Sequence, residues 1–102
     1  MRLRVAKAVF DRLRKDPGRI VPLVHAYRDH PERRFTAVEI VALVQGRGVL
    51  KDNKMPTAQP ESFLWMCKDV ADRRCELVVR FEALDSRPNE LVLVVSAWRA
   101  VR

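Results

Sequence analysis

The sequence predicts an α+β fold, with helices laid on one face of a small antiparallel sheet. Three observations carry this reading. Apolar residues recur at helical spacing up to residue 45, and they alternate with polar ones after Gly48. The apolar run Leu91–Trp98 then reads as a strand buried on both faces.

The first predicted helix covers residues 3–15. Val5, Val9 and Leu13 fall at four-residue steps, Ala6 and Phe10 widen the stripe, and Arg4, Lys7, Arg12 and Arg14 lie mostly outside it. Asp16-Pro17-Gly18 stops this helix, because proline disfavours a helical predecessor and glycine accepts turn geometry. A second helix is expected from about Val21 to Asp29, with Pro22 tolerated in its first turn and His30-Pro31 ending it. The third, residues 37–45, has the best local signals. Thr36-Ala37-Val38-Glu39 matches a capping box, Phe35 and Ile40 sit where a hydrophobic staple places them, and Gly46 is expected to end the helix in a left-handed conformation.

Strands are expected at 48–52, 62–70, 75–84 and 91–98, with a loop through Asn53–Glu61 that contains Pro56 and Pro60. In the third of these, Leu77, Val79, Phe81 and Ala83 share one face; Glu76, Val78, Arg80 and Glu82 share the other. Cys67 and Cys75 have the parity of cross-strand neighbours, and two reduced core cysteines are the expected state. Two His and two Cys at scattered positions make no zinc signature, so no metal or cofactor is expected.

A chain of 102 residues allows one domain, residues 1–102, with enough surface to bury for a core that needs no staples. Its longest strongly apolar run, Leu91–Trp98, falls far short of a membrane span, which needs about 20 residues. Arg and Lys interleave with apolar residues from position 2, leaving no signal-peptide core. The expected setting is therefore cytoplasmic, with no membrane partner. The formal charge is +7, and it is concentrated: residues 1–34 hold ten Arg/Lys against four Asp/Glu, the remainder ten against nine. Fifteen of the twenty cations are Arg, whose planar fork grips phosphate bidentately. A basic end on a near-neutral body suits a polyanion such as RNA, with Arg12, Arg14 and Arg19 as the first candidate contacts. The competing reading is a solvated basic helix or the docking face of an acidic protein.

His25-Ala26, then Arg33, then Phe35-Thr36 opening a capped helix that ends in glycine, then a β-meander closing on an apolar strand: this order resembles the RelE/BrnT-like toxin superfamily. More narrowly it is similar to a small family beside BrnT, whose pattern begins His-Ala, continues with Arg eight residues on and reaches Ser/Thr three later. Residues 25–99 carry the resemblance, the core being 25–102; residues 1–24 stand apart as an N-terminal helical extension. Two features depart from the pattern or only approximate it. The family often has a second Arg four residues after the His, where this chain has Asp29 with Arg28 one residue early. Ser96-Ala97-Trp98-Arg99 is similar to the family's last strand without being a firm signature.

The resemblance implies a RelE-like fold and a toxin–antitoxin role, as a metal-independent ribonuclease or an RNA-binding domain neutralised by an acidic antitoxin. In such a ribonuclease the ribose 2′-OH attacks the adjacent phosphate, which requires a base, cations for the phosphorane charge and an acid for the leaving oxygen. His25 is the candidate base by type. Arg33, Arg80 and Arg99 are the candidate cations at the catalytic centre, and Arg34 and Lys68 join Arg12, Arg14 and Arg19 as nucleic-acid contacts. Each residue also has a structural reading. His25 lies in an apolar segment between Val24 and Ala26, Arg33 and Arg34 can be solvated, and Arg80 shares a strand face with Glu76 and Glu82. The alternative function is thus a non-catalytic basic module that binds nucleic acid or protein. Convergence of His25 with two or more of Arg33, Arg80 and Arg99 favours catalysis; dispersal of the arginines onto carboxylates favours binding.

Overall fold

A computed structural model describes residues 1–23, 36–54, 61–68, 71–72, 74–84 and 87–99, the side chains of 87–89 and 97–99 excepted. The first helix, α1, spans Leu3–Leu13 and turns Ala6, Phe10 and Leu13 inward. Its buried stripe is rotated from the expected one, because Phe10 rather than Val5 points at the sheet; Val5 is 52% exposed. A short 3-10 turn at Pro17–Arg19 follows, with the Asp16 carboxylate accepting from the Gly18 amide at 3.0 Å.

Where the second helix was expected to start, Ile20–Pro22 instead forms a strand, β1. It runs parallel to the last strand, pairing Ile20 with Leu93, Val21 with Val94 and Pro22 with Val95, and the Leu23 amide continues the ladder to the Val95 carbonyl at 2.9 Å. Two β-branched residues followed by proline suit a short edge strand better than a helix start. The rest of the expected helix, 24–29, lies outside the described residues.

Helix α2, Ala37–Gln45, covers the predicted span. Its capping box is formed: the Thr36 hydroxyl accepts from the Glu39 amide at 3.1 Å, and the Glu39 carboxylate accepts from the Thr36 amide at 3.2 Å. Its end differs from expectation. Gly46 has φ −83°, which is not left-handed. The terminal carbonyls are satisfied by side chains from elsewhere instead. The Trp65 indole donates to the Leu43 carbonyl at 2.8 Å, and the Arg14 guanidinium donates to the carbonyls of Val44 at 3.3 Å and Gly46 at 2.7 Å.

Strands β2 (Gly48–Asp52), β3 (Ser62–Lys68), β4 (Arg74–Leu84) and β5 (Arg87–Arg99) complete one five-stranded sheet in the order β1-β5-β4-β3-β2. The expected antiparallel meander of β2 to β5 is present, but the parallel β1 edge makes the whole sheet mixed. Both helices pack on one face. Ala6, Phe10, Leu13, Ile40 and Val44 meet Leu50, Phe63, Trp65, Leu77, Val79, Leu93 and Val95 in a single core. Burying a side chain of this size contributes about 1.5–3 kcal/mol, so this layer holds the helices against the sheet. As predicted, β5 is interior and apolar on both faces: Leu93 and Val95 line the core, and Val92 and Val94 are also buried. Cys67 and Cys75 are directly opposed, buried and not disulfide-bonded. Gly48 must be glycine, because a Cβ there would run into the Met66 carbonyl and come within 2.8 Å of the Trp65 ring.

Candidate polyanion interface

Of the expected catalytic group, Arg80 alone has a described side chain. His25 and Arg33, and with them Arg34, lie outside the described residues. Arg99 ends β5 with its backbone opposite Cys75; nothing is described of its side chain. Arg80 pairs through the backbone with Ser62 and Val94 and forms an ion pair with Glu82 at 3.4 Å. Cys75 and Arg80 are five residues apart on β4, so the backbone positions of Arg80 and Arg99 are separated by about 17 Å. Lys68, at the opposite end of the sheet from Arg80, pairs with Asp72 at 3.5 Å.

Two of the candidate RNA contacts are fasteners. Arg14, just after α1, sits between the helices. It bonds the α2 carbonyls as described, holds Asp11 at 3.3 Å, and lies over the rings of Phe10 and Trp65 at 5.7 and 5.2 Å. Its carbonyl also accepts from the Gln45 amide nitrogen at 2.9 Å. A cation at the negative end of α2 is favoured by the aligned peptide dipoles. Arg19 ties the 3-10 turn to β5, pairing with Glu90 at 2.9 Å and Asp16 at 3.8 Å and donating to the Leu91 carbonyl at 3.4 Å.

Arg12 differs from both. It is exposed, as are Arg2, Arg4, Lys7 and Lys15, and among the described residues none of these five has an ion-pair partner. At 100° per residue, Lys7, Asp11, Arg4, Lys15 and Arg12 occupy an outer arc of about 140° on α1 and its C-terminal extension. Asp11 is the sole acid in that arc, and Arg14 takes it. Arg4, Lys7 and Lys15 were not among the sequence candidates, although helical phase measured from the inward Phe10 identifies them. The start of α1 is fixed by the terminal amine of Met1, which meets Glu61 at 2.8 Å. Hydrogen bonding to that amine, and then its charge, hold the Glu61 carboxyl below the ordinary range against a small opposing effect of burial.

Among the described residues no cluster of three or more His, Cys, Asp or Glu could hold a metal, and no helix is long and apolar enough to cross a membrane. What this surface can do chemically is bind anions: among the described residues it offers fixed positive charge with a single carboxylate, Asp11, which pairs with Arg14. Comparison with protein-family models, curated proteins and solved structures finds no match to this chain.

Proposed function

We propose that the chain is a RelE/BrnT-like, toxin-related domain of the cytoplasm that binds RNA through the outer face of α1, and that an acidic antitoxin competes for that face. One observation carries the reading: Arg4, Lys7, Arg12 and Lys15 stand on a single exposed arc without carboxylate partners among the described residues. From Arg4 to Lys15 the arc runs about 17 Å along the helix, long enough to follow several successive phosphates. Neutralising them releases counterions, so the affinity depends steeply on salt.

Within this reading the chain binds RNA without cutting it. The Arg80–Glu82 ion pair and the distance between the Arg80 and Arg99 backbones support binding over catalysis. The ribonuclease reading requires His25 as base, with Arg33, Arg80 and Arg99 around the scissile phosphate.

Titration of a labelled single-stranded RNA at low and physiological salt tests both. The triple variant Arg4→Gln, Arg12→Gln, Lys15→Gln is expected to bind at least tenfold more weakly at low salt. Its salt slope should fall by about 2, since each phosphate contact on a single strand contributes about 0.7. Unchanged affinity in that variant overturns the assignment of the face. Following the length of the same RNA decides the second question. Cleavage by the wild type that falls about 10²–10⁴-fold in His25→Gln assigns a ribonuclease with a general base; intact RNA assigns binding alone.

A further inference from the structure

The edge of the sheet at β2 takes no part in the RNA reading. β2 pairs with β3 from Gly48 to Asp52, and among the described residues it is the last strand on that side. Beyond that pairing, none of its five residues makes a further hydrogen bond or ion pair among the described residues. Gly48, Val49, Lys51 and Asp52 are exposed, Val49 to 51%. An open strand presents alternate N–H and C=O groups at the spacing another strand needs. The opposite edge is built differently: β1 is three residues long and ends in Pro22, which has no N–H to offer.

Charge makes the β2 edge selective. Arg47, Lys51 and Lys54 are exposed along it, with Asp52 the one acid between residues 46 and 54.

We propose that β2 accepts an extended acidic segment of another protein as a sixth strand. The backbone of that segment pairs with Gly48–Asp52, and its carboxylates meet Arg47, Lys51 and Lys54. A second copy of this chain is the poorer occupant, since it brings another +7 to an edge that is already cationic.

The test uses the whole protein and a blocked eight-residue peptide of alternating Glu and Val. Binding is read by fluorescence anisotropy and by hydrogen exchange of the 48–52 amides. The expected result is binding that slows exchange at those amides. It should weaken at least tenfold when alternate peptide nitrogens are methylated, and at least tenfold in the double variant Lys51→Glu, Lys54→Glu. Equal binding of the methylated peptide, or of a Lys-Val peptide, overturns the proposal, as does the absence of protection at millimolar peptide. A concentration-dependent dimer that protects the same amides gives the edge to a second copy and also overturns it. So does a single-stranded RNA that protects 48–52 as strongly as the peptide. The RNA reading is measured separately through Arg4, Arg12 and Lys15, which lie on α1 and the turn after it rather than on β2.

Discussion

Arg12 and Arg14 are two residues apart at the end of the same helix, and the fold uses them in opposite ways. The Arg14 guanidinium is held by two carbonyls, a carboxylate and two aromatic rings. Arg12 points to solvent beside other cations that have no ion-pair partner among the described residues. A 200° turn of helical phase separates a residue that joins two helices from one free to meet a ligand. The contrast shows that basic composition alone does not define a binding surface; a cation contributes to one when its neighbours leave its charge unspent.

The largest effect expected from this contrast is on stability. Arg14→Ala removes two hydrogen bonds from the end of α2 and should cost about 2 kcal/mol, because charge-assisted bonds of this kind contribute about 1.5–3 kcal/mol. Arg12→Ala should change stability by less than about 0.5 kcal/mol. Denaturant melts of the two variants beside RNA titrations sharpen the comparison: the first should lose stability and keep its RNA affinity, the second the reverse. Arg14→Lys should recover only part of the loss. One Arg14 nitrogen donates to both carbonyls and an ammonium can replace it, but the Asp11 contact through Nε and the planar stacking over Phe10 and Trp65 are lost.

A smaller effect is expected at the other end of α2. Thr36→Ala removes the acceptor for the Glu39 amide and should cost about 1 kcal/mol in the same melts. The loss should be about half that of Arg14→Ala. Equal or greater loss at Thr36 would mean that the local cap, not the tertiary one, holds this helix.

The smallest effect is a pH dependence at the start of α1. The Glu61 carboxyl is lowered on folding by the Met1 amine, so the folded state binds its proton less readily than the unfolded chain does. The stability it adds is complete above the ordinary carboxylate range and is lost as pH falls through the lowered value. Glu61 is exposed, so salt should weaken the effect further. Thermal melts of wild type and Glu61→Gln from neutral to acid pH should show a small gap that closes at the acid end; a gap that widens on acidification contradicts the pairing.

How much of this was legible in the sequence depended on how local each cause is. The start of α2 was readable because Thr36 and Glu39 satisfy each other within one turn. Strands β2 to β4 were readable because burial on one face writes itself as alternation, and β5 because burial on both faces writes an unbroken apolar run. β1 was not, since Ile20-Val21-Pro22 becomes a strand through a partner far along the chain. Gly46 marked the end of α2 correctly but suggested the wrong device, because Arg14 and Trp65 arrive from outside the helix. The same limit applies to the candidate site. Excess positive charge before residue 35 was plain, yet the difference between Arg14 and Arg12 depends on where the Gly46 carbonyl lies. Arg80 behaved as its strand neighbours suggested, pairing with Glu82. His25, Arg33 and Arg34 fall outside the described residues.

The pairing of β1 with β5 also sets an order of events during synthesis. Ile20 and Leu93 are neighbours in the sheet but 73 positions apart in the chain. While a ribosome is still making the middle strands, Ile20 has no β5 to rest on, and the strand order cannot be completed. Closing so long a loop costs entropy before any contact repays it, and this parallel edge cannot form until β5 has been made. Until it forms, the nascent chain carries an unpaired apolar strand within reach of chaperones and proteases, and the time spent in that state is set by how soon Leu91–Val95 becomes available.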